Sequence, residues 1–273
     1  MLNFKLIRAV CFESFLYKEK SIMKIGLQVY SIKEEATENF ASAMEKVKAM
    51  GYDGVELAGR YGLSAEEIKA VLNEVGLEAA SAHVPIKEME ESPDETFAFY
   101  RTVGCPFVAV PWLAPMNDIS IQRVRVVGMK AKEYGLHLLY HNHGFEFSKI
   151  GDEYALDRLY RTVEPEYLAT ELDTCWVKAS GENPADYIRK YSGRTPVVHL
   201  KDFHTFEEKK EDGSLNMEFR SIGHGMQNIP AIIEAAKASG TEWLIVEQDK
   251  PSLGLTPMEC ADISRKYLRS IGL

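Results

Sequence analysis

The feature that most constrains the fold of this chain is a regular alternation of strand-like and helix-like segments from Met23 to the carboxyl terminus. At six junctions a helical pattern ends in glycine and a short apolar segment follows at once: Gly51, Gly76, Gly104, Gly135, Gly193 and Gly240. Glycine is favoured just past a helix end because it adopts the left-handed conformation without a side-chain clash. The junctions therefore predict a repeated β–α unit.

Eight apolar segments are predicted as strands, over residues 24–29, 54–57, 78–83, 107–111, 137–141, 168–173, 197–200 and 243–247. Eight helical patterns alternate with them, near residues 40–50, 64–75, 92–103, 119–134, 153–163, 184–191, 229–238 and 257–271. The second helix begins with Ser64 and Glu67 at the spacing of a capping box. The chain thus predicts eight β–α units in succession.

Eight such units can close into a barrel or form an open doubly wound sheet, since both are built from right-handed βαβ units. The barrel is favoured by the count of eight in about 250 residues. It is also favoured by the first turn, where Gly26, Leu27 and Gln28 stand in place of a Gly-x-Gly-x-x-Gly motif. We therefore predict an α/β fold, a single (β/α)8 TIM barrel over residues 23–273. Residues 1–22 lack a signal-peptide cleavage site, and Met23 stands directly before the first predicted strand. We predict that these residues are an extension from an upstream start codon or a flexible arm, which folding and activity do not need; an ordered arm is the alternative.

Charge and cysteine usage narrow the range of partners. The chain carries 32 basic and 41 acidic residues, a formal net charge of −9, which would repel the phosphates of nucleic acid. Its sequence has no apolar run of about 18 residues, so we predict no membrane-spanning helix. The four cysteines stand apart without a Cys-x-x-Cys pair. That spacing argues against a disulfide framework or a thiolate zinc site and is typical of a cytoplasmic protein.

Polar residues gather where the predicted strands end. Five of the seven histidines lie at or just past a strand end: His83, His141, His143, His199 and His204. Several carboxylates follow the same rule: Glu56, Glu171, Asp173, Asp202, Glu247 and Asp249. A barrel brings all its strand ends to one rim, where so many acids would repel one another without a cation. Carboxylate and imidazole ligands suit Mn, Co, Mg, Fe or Zn, so we predict a divalent metal site at this rim.

Two other features have more than one interpretation. Gly223, His224 and Gly225 precede the seventh helix and form either a phosphate-binding loop or a plain turn. Trp112 and Trp176 each follow a strand end, where an indole ring can wall a pocket or stack on a sugar, or can simply belong to the core.

Five short motifs occur in order at the predicted strand ends: residues 26–31 (GLQVYS), 140–147 (YHNHGFEF), 171–174 (ELDT), 199–202 (HLKD) and 246–249 (VEQD). Together they resemble the sugar phosphate isomerase/epimerase family with its xylose isomerase-like barrel, over roughly residues 24–273. The resemblance implies a divalent metal held by Glu, Asp, His and Glu from strands five to eight. Asp173, His199 and Glu247 match three of these positions.

The strand-five position departs from the family pattern. Tyr140 or His141 stands where the glutamate is expected, and the nearest carboxylate is Glu146. We predict Glu146 as the fourth metal ligand, with His141 and His143 as the alternatives. The histidine-rich segment also resembles the inosose dehydratase branch of the superfamily and enzymes that eliminate from 3-keto sugars, where a histidine serves as base.

The resemblance implies abstraction of a proton alpha to a carbonyl through an enediolate that a metal stabilises. We expect a sugar isomerase or epimerase, with a lyase acting on inososes or 3-keto-glycosides as the alternative. A non-catalytic sugar-binding barrel and an abasic-site endonuclease are two further alternatives. Glu247 is expected to carry a proton, together with His143 or Glu146.

The expected partner is a small sugar or cyclitol without phosphate, because an acidic chain lacks the several cationic contacts that a phosphate usually needs. Contacts with this substrate are assigned to His83, Trp112, His141, Lys201 and His224. The sequence is also compatible with a homo-oligomer.

Overall fold

The computed structural model describes residues 23–209 and 215–273. In these residues eight parallel strands form one sheet: β1 (Lys24–Gln28), β2 (Gly54–Leu57), β3 (Glu78–Ala82), β4 (Phe107–Val110), β5 (His137–His141), β6 (Ala169–Asp173), β7 (Val197–Leu200) and β8 (Trp243–Val246). Each agrees with its predicted strand to within one residue at either end. The extension predicted for residues 1–22 lies outside the described residues.

The sheet closes on itself. Its strand order is β3, β2, β1, β8, β7, β6, β5, β4, so the first and last strands of the chain pair side by side. The two end strands meet through a parallel bridge between His83 and Ala109, and the N–H of Val84 donates to the carbonyl of Ala109 at 2.9 Å. The fold is therefore a nearly closed (β/α)8 barrel, as predicted, and not an open doubly wound sheet.

Eight helices surround the barrel in the part of the chain that the structure describes: α1 (Phe40–Met50), α2 (Ala65–Val75), α3 (Pro93–Val103), α4 (Asp118–Glu133), α5 (Ala155–Thr162), α6 (Pro184–Lys190), α7 (Ile229–Ser239) and α8 (Pro257–Ser270). Shorter helices cover Val29–Ile32, Lys33–Glu38, Ile86–Glu91, Phe145–Phe147 and Thr174–Ala179. Two small antiparallel pairs join Lys149–Ile150 to Glu153–Tyr154 and Asp202–Thr205 to Met217–Arg220. All these additions follow barrel strands, so they build the rim at the carboxyl ends.

The predicted start and stop signals of the helices are present. Ser64 Oγ accepts the N–H of Glu67, and the Glu67 carboxylate accepts the N–H of Ser64, which completes a capping box. Four of the six junction glycines are left-handed helix caps: Gly51, Gly76, Gly104 and Gly240. Gly135 and Gly193 also have positive φ, of 73° and 78°, just beyond their helices. Among the described residues, no helix combines the length and hydropathy that crossing a membrane requires.

The barrel interior is apolar at one end and polar at the other. Phe107, Leu139, Val197, Trp243 and Ile245 belong to one buried apolar cluster that comes from the strands alone. Glycines on the neighbouring strands make room for it, since a Cβ atom at residue 26 would lie 2.6 Å from Ile245 Cδ1 and one at residue 54 would lie 2.7 Å from Trp243 Cη2. The polar residues at the carboxyl ends of the strands therefore lie above a filled apolar layer.

Candidate metal centre

Four consecutive strands each bring one metal-ligating side chain to the rim. His141 ends β5, Asp173 ends β6, His199 lies in β7, and Glu247 directly follows β8. All four are buried, and each offers one nitrogen or oxygen atom such that these atoms lie within 4.8 Å of one another. We call His141, Asp173, His199 and Glu247 the ligand group. Two imidazoles and two carboxylates are a donor set that suits a borderline divalent cation.

The ligand group also contains a buried carboxylate oxygen that a bound cation would satisfy. Oδ2 of Asp173 is buried and finds no hydrogen-bond partner among the described residues, although it lies 3.1 Å from Nζ of Lys201 and 3.6 Å from Nε2 of His141. Nδ1 of His199 lies 2.9 Å from Oε2 of Glu247. Because a buried carboxylate oxygen left without a hydrogen bond is costly, this donor set fits a bound metal.

A second layer of ionisable residues lies against the ligand group. Oε2 of Glu56 lies 2.5 Å from Nε2 of His199, and Oε2 of Glu171 lies 2.7 Å from Nε2 of His83 and 3.2 Å from Nδ1 of His141. Both glutamates are fully buried. We call Glu56, His83 and Glu171 the inner network.

Burial and mutual charge shift these groups in opposite directions. Burial would raise the pKa of Glu56, but His83 and His199 outweigh it and lower that pKa to about 2. Burial, reinforced by the charge of Glu56, raises the pKa of Glu171 to about 7. Burial would lower the pKa of His199, but Glu56 and Glu171 raise it well above its ordinary range. A metal bound at His199 must therefore displace a proton, so its affinity depends on pH.

Lys201 is a buried ammonium group surrounded by acids. Its Nζ lies 2.9 Å from Oε2 of Glu247, 3.1 Å from Oδ2 of Asp173 and 3.1 Å from Oδ1 of Asp249. Burial would lower the pKa of Lys201, but these three carboxylates raise it well above its ordinary range. Lys201 thus contributes a fixed positive charge beside the ligand group.

A cavity of about 630 Å³ opens above these residues, and its wall includes six of the predicted site residues: His83, Trp112, His141, His143, Lys201 and Glu247. The indole ring of Trp112, 56% exposed, stands edge-on to the ring of His143 at 4.7 Å. Two hollows of about 620 and 720 Å³ adjoin the cavity, one sharing Lys250 and Pro251 with it and the other sharing Trp112. The volume suits a small-molecule ligand.

The structure does not bring Glu146 into the ligand group. Its Oε1 accepts a hydrogen bond from the hydroxyl of Tyr140 and its Oε2 accepts one from the backbone N–H of His143, both at 2.8 Å. Burial raises the pKa of Glu146 to about 7, although these donors oppose the shift. His141 is the strand-five residue whose ring nitrogens face the other ligands.

The structure also places His224 apart from the cavity wall. This residue is exposed, and its loop wraps around a buried carboxylate that belongs to the chain itself. The N–H groups of Gly223 and Gly225 both donate to Oδ2 of Asp202 at 3.0 Å, and that of Gln227 donates to Oδ1 at 3.1 Å. Because Asp202 uses these donors, the loop is a carboxylate-anchored turn and not a phosphate site.

Sequence reasoning found Glu56 and Glu171 at strand ends but assigned them no part in the site. A signal was present for Glu171, because it stands two residues before Asp173 and alternate residues of a strand face the same side. The position of Glu56 beside His199 depends on barrel closure, which brings together residues 143 positions apart.

Comparisons with known proteins agree with this fold. Residues 113–271 match the family described as a xylose isomerase-like TIM barrel. The inosose dehydratase of Lacticaseibacillus casei is 26% identical over 265 residues, covering 84% of this chain and 88% of that protein. A crystal structure of a sugar phosphate isomerase/epimerase from Parabacteroides distasonis superimposes with a TM-score of 0.76 at 20% identity, covering 93% of this chain and 96% of that one.

A further crystal structure, of the IolI protein with a zinc atom, superimposes with a TM-score of 0.69 at 15% identity, covering 91% of this chain and 98% of that one. Barrel, rim and family match together define the class of protein, a TIM barrel with a buried cluster of ionisable residues at the carboxyl ends of its strands. The chain belongs to the xylose isomerase-like TIM barrel family.

Proposed function

We propose that the protein is a divalent-metal-dependent lyase that eliminates water or an alcohol from a polyhydroxylated ketone, such as an inosose or a 3-keto-glycoside. One observation carries the proposal: two histidines in opposite environments lie on the wall of the same cavity, next to the ligand residue His141. The ring centroids of His83 and His143 lie 4.8 Å and 5.0 Å from that of His141. Elimination needs a base for the alpha proton and a separate acid for the leaving oxygen, and such a pair differs in environment.

His143 has the environment of a base. Its ring packs against the indole rings of Trp112 and Trp176, at 4.7 Å and 5.6 Å between centroids. Burial and then the charge of Lys201 lower the pKa of His143 to about 3, so the imidazole is neutral at neutral pH. A neutral imidazole at the cavity wall has a nitrogen lone pair that can accept the alpha proton of a bound ketone, and because its lowered pKa makes it a weak base, the transfer requires a carbonyl that is polarised by the positive charge of Lys201.

His83 has the environment of an acid. Burial would lower its pKa, but Glu56 and Glu171 outweigh burial and raise it. Its Nε2 is engaged by Glu171 at 2.7 Å, so Nδ1 is the atom that remains for substrate. When the bond between the beta carbon and its oxygen breaks, the imidazolium of His83 can protonate the departing oxygen. The double bond then forms between the alpha and beta carbons.

The remaining residues of the cavity bind and orient the ketone. Lys201 and Glu247 line the wall, and their charges can hold the carbonyl and a neighbouring hydroxyl group. A divalent metal held by the ligand group would supply Lewis-acid polarisation of a bound oxygen. Burial of all four ligand residues excludes water, which strengthens each of these electrostatic interactions.

Isomerisation or epimerisation is the second candidate, because Glu247 and His143 both line the cavity and two proton carriers can also move a proton between carbons or faces. It shares with elimination the removal of the alpha proton. The enediolate is then protonated again on carbon, whereas in elimination it expels the oxygen on the beta carbon. The curated relative that acts as an inosose dehydratase supports elimination. The missing glutamate at the end of β5 removes one of the two carboxylates that the epimerase pattern uses.

The test follows product formation by proton NMR in deuterium oxide, with metal-loaded protein and a panel of inososes, 3-keto-glycosides and ketoses. Elimination predicts loss of the alpha-proton signal together with a product lighter by one water or one alcohol. A product of unchanged connectivity and mass, apart from deuterium, would establish isomerisation or epimerisation in its place. Absence of exchange and of product for every substrate, with metal bound, would favour a non-catalytic binding protein. Asp173→Ala serves as the metal-deficient control.

A further inference from the structure

Each histidine of the ligand group faces two carboxylates, one through each ring nitrogen. His199 directs Nδ1 at Glu247 Oε2, at 2.9 Å, and Nε2 at Glu56 Oε2, at 2.5 Å. His141 has Nε2 3.6 Å from Asp173 Oδ2 and Nδ1 3.2 Å from Glu171 Oε2. In both residues one nitrogen belongs to the ligand group and the other faces the inner network.

Glu56 is held rigidly for this contact. Gln28 Nε2 donates to its Oε2 at 2.6 Å, and the hydroxyl of Ser81 donates to its Oε1. These donors stand on β1 and β3, directly opposite Glu56 in strand register, so the sheet itself fixes the carboxylate. A charged carboxylate without solvent exposure is costly to bury, and the chain supplies three side-chain partners to keep it there.

His83 links the two glutamates of the inner network. Its Nε2 lies 2.7 Å from Glu171 Oε2 and 3.3 Å from Glu56 Oε2. Its ring also lies parallel to that of His199, with 5.2 Å between centroids and 7° between planes. The network therefore restrains both ligand histidines through one connected set of contacts.

The shortest of these separations are those of hydrogen bonds, and His83, His141, Glu171 and His199 also offer ligand atoms within 4.8 Å of one another. Ligand atoms at about 2.0–2.2 Å from a tetrahedral metal stand roughly 3.3 Å apart. The Glu56–His199 and Glu171–His83 contacts, at 2.5 Å and 2.7 Å, are shorter than that, as is the 2.9 Å contact between His199 and Glu247 within the ligand group, so the number of ions bound per chain is what distinguishes one metal site from two. A second metal in the inner network would have to replace both hydrogen bonds.

We propose that Glu56 and Glu171 are positioning residues that fix the ring orientation and tautomer of the two ligand histidines. Glu56 accepts Nε2–H of His199 and leaves Nδ1 as its donor to the metal, while Glu171, held by His83, faces Nδ1–H of His141 and leaves Nε2. Metal-bound histidines characteristically donate their other N–H to a carboxylate, which fixes the tautomer and strengthens the ligand. This inference rests on the proposed function only in taking the ligand group as the metal site.

The experiment measures affinity for Co²⁺ and Zn²⁺ by competition with a chromophoric chelator, together with the visible absorption spectrum of the Co²⁺ protein. Glu56→Gln is expected to weaken binding about 10- to 100-fold and to alter the Co²⁺ spectrum. Glu171→Gln is expected to weaken it by less, because Glu171 and His141 approach without an aligned hydrogen bond. Asp202→Asn is the matched control, since Asp202 is equally buried but holds loop amides. Its affinity is expected to stay within about twofold.

A double-mutant cycle separates positioning from general support of the fold. If Glu56 acts through His199, Glu56→Gln has no further effect on affinity in a His199→Ala background but keeps its effect in a His141→Ala background. An equal loss in both backgrounds would overturn the proposal. Should Glu56→Gln fail to fold, Ser81→Ala is the second variant, because it removes one hydrogen-bond donor to Glu56. A several-fold loss of metal affinity with a shifted Co²⁺ spectrum is expected. Unchanged affinity and spectrum would count against a positioning role for Glu56.

The stoichiometry of binding provides the other decisive outcomes. One ion per chain in wild-type protein, with Glu56→Gln still binding one more weakly, supports the proposal. Two ions in wild-type protein and one in both glutamate variants would make the inner network a second metal site and overturn it. No binding by wild-type protein would refute the metal dependence in the proposed function, whereas normal binding by both variants would refute only the positioning role.

Discussion

The hydroxyl of Tyr140 donates a hydrogen bond of 2.8 Å to Oε1 of Glu146. The backbone N–H of His143 donates to the other oxygen, so the carboxylate is engaged on both sides within the segment that follows β5. His141, which ends the same strand, belongs instead to the ligand group. These contacts engage Glu146 away from the ligand group, and His141 completes the four-residue donor set in place of a glutamate.

This arrangement predicts which strand-five residue binds the metal. His141→Ala is expected to weaken binding at least about 100-fold, more than the loss of an outer contact costs. Glu146→Gln is expected to retain the metal, because neither oxygen is directed at the ligand group. Metal content after dialysis against a weak chelator checks both variants. Retention by His141→Ala together with loss by Glu146→Gln would restore Glu146 as the ligand predicted from the sequence.

Under the isomerase or epimerase candidate, Glu247 is predicted to share proton transfer with His143 as well as to bind metal. Lys201 and His199 outweigh burial and hold the pKa of Glu247 well below its ordinary range, so its carboxylate is charged when substrate binds. Glu247→Gln is expected to slow exchange of the substrate alpha proton with deuterium oxide by about 10²- to 10⁴-fold per bound metal. Glu242→Gln, an exposed glutamate next to the opposite end of β8, is the matched control. Exchange per bound metal that matched the control would remove Glu247 from proton transfer.

Most of the barrel could be predicted from sequence because its signals are local. A glycine such as Gly76 at a helix end, and a capping box such as Ser64 with Glu67, depend only on neighbouring residues. The loop helices were not predicted, since six residues such as Thr174–Ala179 are too few to show a helical period. They lie at the rim, where they complete the site.

The site could be predicted only in part because its contacts are between distant strands. That Asp173, His199 and Glu247 lie together follows from barrel topology, and the structure brings them together. Whether Glu146 or His141 joins them depends on one side-chain hydrogen bond, from Tyr140, which spacing along the chain does not encode. His224 and its flanking glycines suggested a phosphate loop because their local sequence does not show that the N–H groups of Gly223 and Gly225 donate to Asp202, 21 and 23 residues away.

The raised pKa of Glu146 predicts a specific dependence of stability on pH. Burial raises this pKa from 4.5 to about 7, so the folded protein holds a proton that the unfolded chain releases between these values. The contribution of Glu146 to folding is therefore complete below about pH 4.5 and is lost as pH rises through 7. Between pH 5 and 8 the wild-type protein should lose up to about 3 kcal/mol of its free energy of unfolding through Glu146, and Glu146→Gln should not show this loss.

Urea unfolding at both pH values, with a chelator present to prevent metal binding, measures that difference. Wild type and Glu146→Gln are compared by the change in their free energy of unfolding between pH 5 and 8, so the hydrogen bond lost from His143 affects both values equally and cancels. Identical pH dependence in the two proteins would mean that Glu146 is ionised in the folded state at pH 5, and the buried carboxyl would need another compensating charge.

For the loop that follows β7, we predict that Asp202 stabilises the fold and that His224 contributes neither to stability nor to substrate binding. Asp202 accepts hydrogen bonds from the N–H groups of Gly223, Gly225 and Gln227 with a fully buried carboxylate. Asp202→Asn replaces one acceptor oxygen with a donor that faces those N–H groups, and a loss of roughly 3 kcal/mol in the free energy of unfolding is expected.

His224→Ala should change the free energy of unfolding by less than about 0.5 kcal/mol, because its side chain is exposed. It should also leave KM for the ketone unchanged, since the loop amides already bind Asp202 and His224 is not on the cavity wall. Thermal and urea unfolding with steady-state kinetics on both variants check this, and a large rise in KM for His224→Ala would return that histidine to the substrate contacts.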